Sequence, residues 1–206
     1  VYVVKKEIDG RTKRALLTKQ KLLNAAGDIF IENGFEKTTI SQIIKKAGIG
    51  YGSAYTYFRG KDDILIALMD DVMEQFYTIA EQSYDPTSLP EARVMIVNQV
   101  KLFLSLGESE KRILRVFYEA KGYSQAVEVK WKSIRENFVN RIEEDIKHVQ
   151  AIGLAKTTVN SKIIAKSWFF VNEMYLWDIV NNDSYPYSIE EIAGNITETY
   201  TTGLYE

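Results

Sequence analysis

The stretch from Gly34 to Lys61, GFEKTTISQIIKKAGIGYGSAYTYFRGK, reads as two short helices joined by a glycine turn. Thr39 stands just ahead of Ile40, Ile43, Ile44 and Ala47, an apolar stripe at helical spacing, and Gln42 lies three residues on. That order satisfies the capping box, in which each side chain takes up a backbone N–H that the helix start leaves without a partner. One helix is therefore expected to start near Thr39. It is expected to end at Gly48 in left-handed geometry, with Lys45 and Lys46 suited to the negative end of its dipole. A second helix fits Tyr51 to Phe58, with Ala54, Tyr55 and Phe58 on the side that packs inward and Tyr51, Ser53, Thr56 and Tyr57 facing outward. Two such helices over 39–58 have the layout of a DNA-reading helix-turn-helix.

Working outward, a helix from about Thr18 to Asn33 presents Leu22, Ala26, Ile29 and Phe30 on one face and is closed by Gly34. Residues 1–17 form a basic arm with Lys5, Lys6, Arg11, Lys13 and Arg14. Downstream, Ile64, Leu65, Leu68, Met69, Val72, Met73, Phe76 and Ile79 recur at three and four residues, which predicts a long helix from about Lys61 to Tyr84 connecting head to body. Asp85-Pro86-Thr87-Ser88-Leu89-Pro90 is a turn-rich break. Further helices fit about 90–106, 108–121, 123–152, 159–182 and 188–203, separated by Gly107, Gly122, Gly153 and the Asn181 to Pro186 turn. The expected fold class is all-α, with an arm over 1–17, a three-helix head over 18–64 and a helical body over 65–206.

Composition narrows the function classes. With 206 residues and three prolines, the chain can bury a sizeable core. It has no cysteine, which excludes disulfides and thiolate metal sites, and its one histidine, His148, excludes a multi-histidine site. No apolar run approaches the roughly 20 residues of a membrane span, and VYVVKKEIDGRTKR lacks a signal peptide's order of residues. A soluble cytoplasmic protein without metal or cofactor is the expectation. The net charge of -2 hides an asymmetry: residues 1–65 hold 12 Lys and Arg against 7 Asp and Glu, and residues 66–206 hold 14 against 21. A basic head on an acidic body suits a DNA-binding domain on a regulatory one, because basic side chains that neutralise phosphates release counterions. Uneven surface charge would look the same.

At these residues the chain resembles the tetracycline-repressor (TetR) family of bacterial transcriptional regulators. The matching elements are the amphipathic helix Leu22 to Phe30, Gly34-Phe35, Thr38-Thr39-Ile40, Ala47-Gly48, Gly52-Ser53-Ala54-Tyr55-Thr56-Tyr57-Phe58 and Lys61, roughly the first third of the chain. The resemblance implies that Tyr51 and Ser53 face base edges, that Tyr55, Tyr57 and Lys61 contact phosphates, that Thr39 and Ser41 do so from the supporting helix, and that Gly52 lets the backbone come close. Family members usually carry Ser or Thr where this chain has Gly50, and a larger aliphatic residue where it has Ala54. The bland alternative is that Phe58 and Tyr55 pack the head and Thr39 only caps its helix.

In the body, WFFVNEMYLW over 168–177 is too apolar for a surface helix, which implies burial on several sides. The resemblance implies a homodimer through the last two helices, about 159–182 and 188–203, and a palindromic double-stranded DNA operator whose half-sites are one turn apart. An intramolecular core is the alternative. Phe103, Phe117, Tyr118, Trp131, Phe138, Phe169 and Glu173 are candidates to line a cavity for a small apolar or aromatic effector, although aromatic residues at helical spacing are also what plain core shows. Buried among aromatic residues, Glu173 needs a partner, whether at an interface, from a cationic ligand or from water. The resulting expectation is a ligand-responsive, homodimeric repressor. No nucleophile with a nearby base, glycine-rich phosphate loop or metal cluster points to catalysis. The competing readings are a small-molecule carrier or a protein-interaction module with an incidental helix-turn-helix head.

Overall fold

The computed structural model describes residues 9–205, and the part of the basic arm that holds Lys5 and Lys6 lies outside them. Nine helices follow one another among the described residues: α1 Gly10–Lys37, α2 Ile40–Ala47, α3 Tyr51–Tyr57, α4 Lys61–Ala80, α5 Leu89–Ser109, α6 Lys111–Ala120, α7 Gln125–Ala151, α8 Ser161–Asn181 and α9 Ile189–Leu204. None is long and apolar enough to cross a membrane.

Local sequence explains most of the boundaries. Ser88, Ser124, Asn160 and Ser188 each accept a backbone N–H at the start of α5, α7, α8 and α9, and Ser188 with Glu191 forms a second capping box. Two boundaries depart from the expectation. The first helix begins at Gly10, so the end of the basic arm is helical, and it continues past Gly34 to Lys37. Gly34 is nonetheless a break, because its φ of 77° lies outside helical geometry and kinks α1 there. Gly107 does not separate two helices. It lies inside α5, where a Cβ would overlap Leu176 Cδ1 on α8, so this glycine permits close approach of two helices.

The head is built from α1, α2 and α3 against the start of α4. Leu22, Ala26, Phe30 and Phe35 of α1 close over Ile43, Ile44, Ala54, Phe58, Ile64 and Leu65. The body is a bundle in which α8 is wedged against α5, α6 and α7, and α9 packs on α5. Head and body meet along α1, which rests on both α4 and α6.

Candidate nucleic-acid interface and body cavity

The helix-turn-helix is held by its own sequence. The Gln42 N–H donates to Thr39 Oγ1 at 3.3 Å and the Thr39 N–H donates to Gln42 Oε1 at 2.7 Å, which is the expected capping box. Gly48 closes α2 at φ 65°, and its N–H returns to the carbonyls of Ile44 and Lys45. Gly50 is the N-cap of α3 and supplies no side-chain hydrogen bond, as its identity requires. Lys46 is drawn back to α1, with Nζ 3.3 Å from both Asp28 and Glu32, so of the two lysines only Lys45 is left on the open face of α2.

On α3, Ala54 is buried and Phe58, which caps its end, packs beneath it. Tyr51, Gly52, Ser53 and Tyr55 are exposed, as are Thr39 and Ser41 on the adjoining helix start. Tyr55 and Tyr57 have exchanged the sides expected of them. Tyr55 is 49% exposed and Tyr57 is partly buried against the core. The cause is angular: at about 100° per residue, Tyr57 and Phe58 flank the direction of Ala54, whereas Tyr55 points well away from it. Lys61 is half-buried at the start of α4. Its Nζ donates to the carbonyls of Phe35 at 2.7 Å and Glu36 at 3.0 Å and lies 4.3 Å from the Phe35 ring centre. The lysine therefore ties α4 to the end of α1, using two of its three donors.

The seven body candidates fall into three places. Phe103, Phe138 and Phe169 line one cavity with Ile79 and Ala80 of α4, Val100 of α5 and Trp168 of α8. Its polar lining is Gln99, Arg141, Asp145 and Asn172, none of which stands out in the sequence because they come from three helices. Arg141 Nη1 lies 2.6 Å from Asp145 Oδ1, yet burial outweighs this pairing and pushes the Asp145 carboxyl up to about 6. The cavity volume is about 60 Å³, room for a few waters and far below the roughly 300–1,000 Å³ of a drug-sized site. Phe117 is fully buried core on α6. Tyr118, Trp131 and Glu173 belong to a separate cluster near the end of α6.

Glu173 has its partner within the chain. Its Oε1 accepts Trp131 Nε1–H at 2.9 Å and Arg135 Nε–H at 2.8 Å. His148 is a surface side chain, 2.8 Å from Asp85. No cluster among the described residues brings together three groups able to hold a metal ion. The α8 stretch 168–177 is two-faced: Trp168, Phe169, Asn172, Glu173 and Leu176 are buried, while Phe170, Val171 and Met174 are exposed. Beside them a groove of about 410 Å³ runs between α8 and α9, lined by Ile164, Val171, Tyr175, Ile196 and Thr199. A link that sequence could not show joins head to body: the carboxylate of Glu119 on α6 accepts the N–H groups of Phe35 and Glu36, both at 3.3 Å.

Residues 22–68 match the family model described as bacterial regulatory proteins, tetR family. Among curated proteins, the fatty acid metabolism regulator protein of Bacillus subtilis (strain 168) is 22% identical over 185 residues, covering 90% of this chain and 94% of that protein. Among solved structures, NalD, the secondary repressor of the MexAB-OprM multidrug efflux pump in Pseudomonas aeruginosa, superposes with a TM-score of 0.74 at 19% identity, over 94% of this chain and 98% of that one. A SmeT–triclosan complex superposes with a TM-score of 0.72 at 17% identity, over 92% of each chain. At these identities the two structures speak to the fold alone.

Proposed function

We propose, for a chain that belongs to the tetR family of bacterial regulatory proteins and is a DNA-binding transcriptional regulator, that it works as a homodimeric repressor released from a palindromic operator by a small apolar or aromatic effector. The observation that carries the DNA-facing half is the open face of α3, where Tyr51, Gly52, Ser53 and Tyr55 stand exposed on a helix whose other side is anchored by Ala54 and Phe58. In this reading Tyr51 and Ser53 meet base edges, and Gly52 lets the backbone approach. Thr39, Ser41, Tyr55 and Tyr57 hold phosphates, and Lys61 does so with its third donor.

Two features support the rest. Exposed Ile163, Phe170, Val171 and Met174 on α8, together with the groove against α9, form an apolar face of the kind a second copy covers, and two copies are what a palindrome requires. The Phe103, Phe138 and Phe169 cavity is bounded by Ile79 and Ala80 at the far end of α4, whose near end carries Lys61 under the head. A ligand larger than the cavity favours a state with its walls apart, and that differential affinity shifts α4 and with it the spacing of the two heads. The fold neighbour solved with triclosan shows a small molecule bound to a protein of this fold.

The experiment is selection of genomic fragments by the purified chain, repeated with Tyr51→Ala and Tyr57→Ala and at two salt concentrations. Enrichment of a palindrome that both variants lose, and that weakens steeply with salt, supports the reading. A well-folded chain that enriches nothing at low salt overturns it and favours the small-molecule carrier. Effector and operator must also weaken each other's binding by the same factor, so equal effector affinity for free and operator-bound chain refutes the release mechanism.

A further inference from the structure

Lys121, the C-cap of α6, ends in an aromatic enclosure built from three helices. Its Nζ lies 4.5 Å from the ring centre of Tyr118 on α6, 5.3 Å from that of Trp131 on α7 and 4.8 Å from that of Trp177 on α8. Among the described residues no carboxylate pairs with this ammonium. Glu173, whose charge it feels, already accepts bonds from Trp131 and Arg135. Half-buried, and with Arg135 as a like charge nearby, Lys121 is held by ring faces against its own hydration, which drives its pKa below the ordinary lysine value. Trp177 Nε1 is buried with no hydrogen-bond partner, and Lys121, which only donates, leaves it so. Tyr118 is 47% exposed and leaves a way in.

We propose that the Tyr118, Trp131 and Trp177 enclosure is a binding site for small organic cations of the quaternary ammonium class, which Lys121 occupies until such a cation displaces it. The rings attract any cation through the negative potential of their faces. A primary ammonium, compact and strongly hydrated, gives up much water to sit there, whereas a methylated ammonium has no N–H groups to desolvate. Exchange therefore keeps the ring attraction, returns the lysine to water on a flexible stem and leaves the net charge of the cluster unchanged. The site is separate from the Phe103 cavity. It also lies two residues from Glu119, whose carboxylate holds the Phe35 and Glu36 N–H groups of the head, so displacement of Lys121 acts on the end of α6 that grips α1. That last consequence, release of the operator, rests on the repressor reading above; cation binding does not.

Tetramethylammonium chloride is titrated into the full chain at constant ionic strength, with sodium chloride as the control, and followed by tryptophan fluorescence and calorimetry. The expected result is saturable binding that Lys121→Met tightens about tenfold, because removing the internal competitor raises the fraction of chain ready to bind. Trp177→Leu is expected to abolish it, with Trp131 and Trp168 still reporting. Melting curves establish that each variant is folded, and Lys121→Gln replaces Lys121→Met if the latter fails to fold. No saturable response, or weaker binding in the folded Lys121 variant, overturns the proposal. Tetramethylammonium that binds as described but leaves operator affinity unchanged upholds the site and counts against its coupling to release. Operator release by an apolar effector in a chain that ignores tetramethylammonium overturns the site and upholds the repressor reading.

Discussion

Gly34 sits at φ 77°, and a Cβ there would lie 3.0 Å from Glu119 Oε2, so two costs coincide at one position. Gly34→Ala is expected to destabilise the chain by about 2 kcal/mol or more in denaturant titration, the conformational cost alone being about 1 kcal/mol or more. Gly48 has φ 65° with nothing near its missing Cβ, so Gly48→Ala isolates the conformational share and is expected to cost about 1 kcal/mol. The difference between the two variants measures the head-to-body seam. Asp145 titrates in the other direction from a stabilising carboxylate. Its folded pKa of about 6 exceeds the ordinary 3.8, so the folded chain binds more protons between those values, and stability falls as pH rises through that window. Asp145→Asn is expected to be more stable than the parent at pH 8, by up to about 3 kcal/mol, with the gain gone below about pH 4. Melting curves across pH check this, and a pH-independent difference would refute it. The sequence marks Gly34 as the break in the first helix but not its contact with Glu119, 85 residues away, and it gives no sign of the Asp145 shift, which depends on burial beneath neighbouring helices.

Helices α2 and α3 are short, and short helices depend on their ends. Thr39→Ala removes one half of the capping box and is expected to cost about 1 kcal/mol, read as a lower melting temperature, and, under the proposed function, which gives Thr39 a phosphate contact, as a loss of operator affinity. Gly50→Ser is expected to gain a few tenths of a kcal/mol by adding the side-chain cap that α3 lacks. Capping patterns and apolar periodicity are local, and for that reason α2, α3, α8 and α9 were legible to within a residue or two. Gly107 reads as a separator in the sequence but lies inside α5, because a glycine inside a helix and a glycine between helices look alike until the neighbour is known. That neighbour is Leu176 on α8, and Gly107→Ala is expected to cost about 1–3 kcal/mol by overpacking.

At the scale of the molecule, the two-faced α8 predicts the oligomer. Met174→Glu and Val171→Glu each place a charge on the exposed apolar face, twice in a symmetric pair. Burying an unpaired charge costs enough to weaken dimerisation by roughly 100-fold or more, which sedimentation at micromolar concentration would read as monomer, its helical circular-dichroism signal preserved and its melting temperature lowered by the share that dimerisation supplied. A chain that stays dimeric in both variants would place the interface elsewhere. The sequence by itself determined the helical class, the nine segments, the helix-turn-helix with its caps and the basic head on an acidic body, because each of these depends on residues within a few positions of one another. That Tyr55 faces out while Tyr57 leans in follows from the turn angle of α3 about Ala54, a local rule, whereas the rest was decided by the tertiary structure. It alone divided the seven aromatic and acidic candidates among a cavity, a core and a cation-holding cluster. It alone gave Glu173 its Arg135 and Trp131, and closed the Glu119 contact across the head. Those outcomes depend on which helix faces meet, and one chain of side chains at helical spacing is compatible with many such meetings until packing selects among them.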